Sequence, residues 1–113
     1  MKPLRALSIK QPFVEQIMRG TKRFEYRSRP TAVRGRVYVY ASLKPRPRAD
    51  WKGLRFGLAD VPHGLVVGTV EIMGSRRLRS GGYAWKLERP RRLRTFVKPK
   101  AHPQPVWFFP FGR

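Results

Sequence analysis

The sequence contains no cysteine. That excludes disulfides, thiolate metal sites and a cysteine nucleophile. Histidine is nearly as scarce. His63 and His102 are the only two, and they stand far outside the i,i+4 spacing of a helical metal pair. No metal and no cofactor are expected. Long apolar runs are missing as well. No window approaches the roughly 20 residues that span a bilayer, and the segment from Met1 to Arg5 lacks the apolar stretch of a signal peptide. A cytoplasmic protein with no membrane partner, and a monomer, is expected.

The most informative shortage is of acid. Asp and Glu total 6 against 26 Lys and Arg, for a net charge of +20 over 113 residues. A compact domain with that charge repels itself. A phosphate polyanion relieves the repulsion, and counterion release adds to the affinity. Arg outnumbers Lys, and its planar fork suits phosphates, base edges and ring stacking. GC-rich codons would favour Arg too, but they do not explain the missing acids. Nucleic acid is the expected partner.

What is present suffices for one domain over residues 1–113. The length is near the commonest single-domain size, and 41% apolar with 12% aromatic residues supplies one small core. Leu4 to Ile9 reads as a strand. Pro12 then opens a helix of about two turns, with Phe13, Val14, Ile17 and Met18 on one face and Gly20 as its stop. Arg23 to Arg27 alternates, with Phe24 and Tyr26 on one side and Arg23, Glu25 and Arg27 on the other. Arg36 to Ser42 alternates again, with Val37, Val39 and Ala41 sharing a face. Residues 43–62 form a Pro/Arg-rich connecting loop with one helical turn around Trp51 to Leu58. Gly64 to Ile72 is the best strand, and Gly68 inside it marks a bulge. Tyr83 to Glu88 alternates until Pro90, and Val106 to Phe109 is a last strand. About six strands with one or two short helices predict an α+β protein built on a small β-barrel.

These residues resemble a known family. L-S-I-K-Q-P-F, the short helix ending at Gly20, T-K-R-F-E-Y-R-S-R and then R-G-R-V-Y-V-Y-A-S are similar to the ASCH domain, of the PUA-like superfamily of small barrels. The family pattern G-x-K-x-x-E-x-R is met by Gly20, Lys22, Glu25 and Arg27. The resemblance implies a nucleic-acid-binding domain, with RNA favoured over DNA. Some small members resemble this chain and are amidohydrolases acting on 4-acetylcytidine through a Lys, a Thr and a Glu. Lys22 matches that Lys, but Glu25 stands where the Thr would be, and R-R-L-R-S-G-G offers no carboxylate before Glu88. Other small members are reported as metal-independent ribonucleases. In the C-terminal loop, Lys98, Lys100 and Trp107 stand for a K-G-K-x-G-L-W run, with Pro99 and Pro103 departing from it.

The candidate site follows from both lines. Two readings of Glu25 stand: a routine ion pair with a neighbouring cation, or a cleft residue that accepts from a base amino group, as Glu does from cytosine N4. Lys10 and Gln11 are expected on a polar lip, beside Lys22, Glu25, Arg27 and Arg29. Tyr40 and Trp85 are candidates for base stacking, although such aromatics usually fill cores, and Ser42 for a hydroxyl. Arg76, Arg77 and Arg79, with Lys98 and Lys100, are expected to hold phosphates. If the protein is an enzyme, Lys22 and Glu25 are the catalytic pair. A basic protein-interaction module is the third possibility.

Overall fold

The computed structural model describes residues 3–113. Its strands are β1 (Ala6–Ile9), β2 (Phe24–Arg27), β3 (Gly35–Ala41), β4 (Leu65–Arg77), β5 (Tyr83–Val97) and β6 (Trp107–Phe108). The described residues also form one α-helix, α1 (Phe13–Met18), between β1 and β2, and two 3-10 turns, Arg48–Trp51 and Leu58–Asp60, between β3 and β4. No helix of the described residues is long and apolar enough to cross a membrane.

The strands form one sheet in the order β2-β5-β4-β3-β1-β6. β1 and β3 pair in parallel, so the chain must cross over between them. α1 and β2 are that crossover. This explains why the segment around Lys22 to Arg27 ends at the far edge of the sheet, opposite β1. Register shifts along β3–β4 and β4–β5 sharpen the twist and curl the sheet into a six-stranded half-barrel, the expected α+β, PUA-like architecture. The curl nearly closes. Trp85 of β5 stacks on Trp107 of β6, with ring centroids 5.9 Å apart and planes at 5°.

Both faces of the sheet centre are covered. On the concave face, Val37 and Val39 of β3 meet Leu7 and Ile9 of β1, Val67 and Ile72 of β4, and Val14 and Ile17 of α1. A smaller cluster on the other face gathers Ala6, Tyr40, Val66 and Phe108. α1 is pinned by polar bonds as well. The Gln11 side-chain oxygen accepts from the Glu15 backbone amide, 2.9 Å, satisfying a free donor of the first turn. The Glu15 carboxylate takes both Arg92 guanidinium nitrogens, at 2.9 and 2.7 Å. Burial raises its pKa, but the hydrogen bonds from Arg92 and Arg19 win and hold it below the usual value.

Two expectations need correction. Pro90 does not follow a finished strand: β5 continues through it to Val97. The register passes from Glu71↔Glu88 to Thr69↔Arg91, so Arg89 and Pro90 sit in a bulge where the missing proline N–H is not needed. Arg89 takes φ +52° there. In the 43–62 connection, the single turn around Trp51 to Leu58 is replaced by the two separate 3-10 turns.

Gly68 sits at a register shift where the backbones of β4 and β5 approach closely. A Cβ on Gly68 would overlap the Arg91 carbonyl oxygen and stand 2.7 Å from Met18 Sδ. Gly68→Ala is therefore expected to lower the urea midpoint by the equivalent of about 1–3 kcal/mol through overpacking. Gly74→Ala, with nothing within 4 Å of the added carbon, is the control, and equal midpoints for the two variants would refute the close approach.

Candidate functional site

α1 stops at Gly20, which takes the left-handed conformation with φ +80°. The Thr21 and Lys22 backbone amides then both donate to the Gln16 carbonyl, turning the chain from helix into β2. Side chains on β2 alternate with period two. Glu25 lies opposite the buried Trp85, so Glu25 and Arg27 point into the half-barrel while Phe24 and Tyr26 face out. The outcome reverses the usual partition. Glu25 is 5% exposed and Tyr26 60%.

A cleft of about 280 Å³ opens here, between β2, the end of β1, the start of α1 and the loop after β3. Lys10, Arg27 and Arg46 give it cations, Ser8 and Ser42 give it hydroxyl-bearing walls, and Phe13 and Tyr26 give it rings. Glu25 is its only carboxylate. Its volume is near the lower end of small-molecule sites, roughly 300–1,000 Å³.

Arg27 organises the cleft. Its Nε donates to Glu25 Oε2 at 2.8 Å. Its Nη2 donates to the Ser8 carbonyl at 2.8 Å, reaching across the open seam from β2 to β1. The guanidinium also lies over the Trp85 ring, 5.6 Å from its centroid. These contacts occupy Glu25 Oε2 and leave Oε1. Among the described residues, Glu25 Oε1 and His63 Nδ1 are the buried side-chain polar atoms with no hydrogen-bond partner. The Lys22 ammonium is 3.8 Å from Oε1, an ion pair that is too long for a hydrogen bond.

Lys22 is itself confined. Its ammonium sits 4.5 Å from the Phe13 ring centroid and 4.9 Å from that of Tyr26. Burial pulls its pKa below the ordinary lysine value, Glu25 opposes that shift, and the neighbouring Arg27 and Arg46 charges add to it. Arg46 is held in place by Asp50, 2.9 Å from its Nε, and by its backbone amide donating to the Gln11 carbonyl.

The other acids have structural tasks. Glu15 holds Arg19 and Arg92. Glu71 holds Arg36 and Arg89. Glu88 lies near Lys86 and Arg89, Asp50 fixes Arg46, and Asp60 accepts the Gly57 amide. Only Glu25 combines burial, a cleft and a free oxygen.

The structure brings together Lys10, Glu25, Arg27 and Ser42, with Lys22 touching Glu25 from behind. It does not bring the rest. Gln11 is fully buried rather than on a lip, because its side chain bonds α1 and also donates to the Pro62 carbonyl. Tyr40 cannot offer a free ring: it is buried edge-on against Phe108, since β6 covers that face. Trp85 is buried between Arg27 and Trp107, and its indole N–H donates to the Arg29 carbonyl. Arg29 is exposed past the end of β2, outside the cleft lining. Arg76, Arg77 and Arg79 lie at the β4–β5 hairpin, where Arg77 and Arg79 line a separate hollow. Lys98 and Lys100 are exposed on the loop before β6, where the Lys100 amide donates to the Pro110 carbonyl. Sequence reasoning missed Tyr26 and Ser8, and read Arg46 as part of the Pro/Arg-rich loop at 43–62. The signal for Tyr26 was the alternation itself: once the charged face of β2 turns inward, Tyr26 must face solvent.

Breaking a buried pair leaves an uncompensated charge. Arg27→Ala is expected to cost about 3 kcal/mol in chemical denaturation. Adding Glu25→Gln should recover part of that loss. If the double variant loses the sum of both single effects, the two residues are not coupled.

Comparison with known proteins agrees with this geometry. The ASCH domain family model matches residues 7–88, which spans β1 through the cleft-bearing β2 to the first part of β5. A comparison with curated proteins finds no match. Arg91 to Val97 and the Lys98–Lys100 segment lie beyond the matched residues. With a six-stranded half-barrel, a helix stop at Gly20 and Lys22, Glu25 and Arg27 gathered at its seam, the chain belongs to the ASCH domain family, a PUA-like family commonly connected with nucleic acids.

Proposed function

We propose that the protein binds RNA by taking one unpaired nucleotide into the cleft, with Glu25 reading the base. The observation that carries this is Glu25, a buried carboxylate whose Oε1 has no hydrogen-bond partner, in the lining of a cleft whose other charged groups are cationic. A carboxylate inside a polyanion site repels phosphate, so its presence calls for a donor on the ligand. The exocyclic amino group of cytosine is such a donor, and Glu accepting from N4 is a known type of base contact. Lys10 and Arg46 are placed to take the phosphates. RNA is favoured because sequence-specific RNA recognition targets unpaired bases in loops and ends.

The expected behaviour is a C-rich single strand bound more tightly than a U-rich one, with affinity falling as salt rises. Glu25→Gln should shrink the C-over-U preference, a contact worth roughly 1–3 kcal/mol, while the salt slope stays. Fluorescence anisotropy at several salt concentrations reads both. A preference that survives the substitution removes Glu25 from base reading. Binding that ignores salt removes the phosphate contacts.

The confined Lys22 favours a second reading, as a metal-independent ribonuclease. A lysine whose pKa is lowered by burial carries more free amine near neutrality and can act as a base. It would take the 2′-hydroxyl proton as O2′ attacks phosphorus and the P–O5′ bond breaks; the leaving 5′ oxygen takes a proton from water, giving a 2′,3′-cyclic phosphate and a free 5′-hydroxyl. Cleavage should then resist EDTA, rise with pH as Lys22 loses its proton, and vanish in Lys22→Ala. Unchanged cleavage in that variant eliminates the assignment.

A further inference from the structure

The cleft does not end at Tyr26. On the outer side of β2 a second hollow of about 440 Å³ shares Tyr26 with the cleft and runs past Lys22, Arg23 and Phe24. It adjoins a third hollow of about 520 Å³, with which it shares Lys22, Arg23 and Phe24. The floor of this third hollow is apolar, from Ile17, Val70 and Leu87, and Lys86 and Arg89 stand on its rim. Both added volumes fall within the range of sites that hold a small molecule, roughly 300–1,000 Å³.

Two features of this track of adjoining hollows point to a ligand. Phe24 and Tyr26 lie side by side, with ring centroids 6.5 Å apart and planes within 28° of each other. Aromatics displayed on alternate strand positions are the arrangement on which successive unstacked bases can rest. The flanking Lys22, Arg23, Lys86 and Arg89 outnumber the one carboxylate in the lining, Glu88, which lies near Lys86 and Arg89; Lys22 also pairs with Glu25 and Arg89 with Glu71. Among the described residues β2 is an edge strand paired only with β5.

We infer that the protein holds a single RNA strand of at least three nucleotides along β2, with one base in the Glu25 cleft and its neighbours stacked on Tyr26 and Phe24. This rests on the nucleotide-binding reading of the cleft and extends it from one nucleotide to a strand. It also replaces the buried Tyr40 and Trp85 with rings that are accessible. The occupant is a strand rather than a duplex, because paired bases hide their faces from stacking.

The test is anisotropy with labelled cytidine oligonucleotides of one, three and six residues. Affinity is expected to rise with length. Phe24→Ala should weaken the hexamer about tenfold and flatten the length dependence. Arg23→Ala, at an exposed position that folding does not need, should lower the salt slope of the hexamer by about one phosphate contact. Circular dichroism confirms that both variants are folded. Equal affinity for monomer and hexamer overturns the inference, as does a wild-type hexamer affinity in both variants. Tighter binding of an RNA hairpin stem or of an acidic peptide of equal charge overturns it too. The cleft fails separately: if the C-over-U preference is absent but length dependence and the Phe24 effect remain, the track stands and the Glu25 reading falls.

Discussion

Arg27 holds the two sides of an open half-barrel together. The sheet begins at β2 and ends at β6, and no backbone ladder joins β2 to β1. A guanidinium can do what a strand does not, because its planar fork presents several donors in fixed directions. One side of Arg27 meets the Glu25 carboxylate and another the Ser8 carbonyl, while its face covers Trp85. Trp85 in turn stacks on Trp107. Seam closure and cleft construction are therefore a single set of contacts. A buried carboxylate is needed to hold the guanidinium, and the price of that carboxylate is an oxygen with no donor.

That oxygen gives the charge balance its meaning. In a chain of net charge +20, a carboxylate finds a cation anywhere, and exposed pairs of this kind contribute little. Asp50, Glu71 and Glu88 follow that pattern, while the buried Glu15 has both oxygens taken by Arg19 and Arg92. Glu25 differs by lining a cleft and by having one oxygen without a hydrogen-bond partner. Lys22 approaches but stays beyond hydrogen-bond distance, because the Phe13 and Tyr26 rings attract its ammonium as well. On the reading proposed above, Oε1 would take a neutral donor such as a base amino group, and Lys10 and Arg46 in the cleft lining would take phosphate.

Much of this was legible in the sequence, for local reasons. Helix stop, turn and strand from Met18 to Arg27 are encoded by Gly20 and by strict alternation, so Lys22, Glu25 and Arg27 could be placed together. Gly68 announced its bulge. Other features depend on contacts between distant segments. Alternation in β2 shows that Glu25 and Tyr26 face opposite ways, but only the crossover topology decides which is inside. Tyr40 is buried because β6, from near the C-terminal end, packs Phe108 beside it. Gln11 looked like a polar lip, yet the Pro62 carbonyl arriving from the long connection seals it in. Pro90 reads as a strand end until its bulge pairing with β4 is known.

The central claim is that Glu25 Oε1 is kept free for a base amino group. The structure of the protein with cytidine 5′-monophosphate tests it most directly. The expected result is cytosine N4 within about 2.7–3.2 Å of Oε1, with Arg27 still bonded to Oε2 and the phosphate near Lys10 or Arg46. A structure in which Lys22 closes onto Oε1 and the nucleotide lies elsewhere would contradict it.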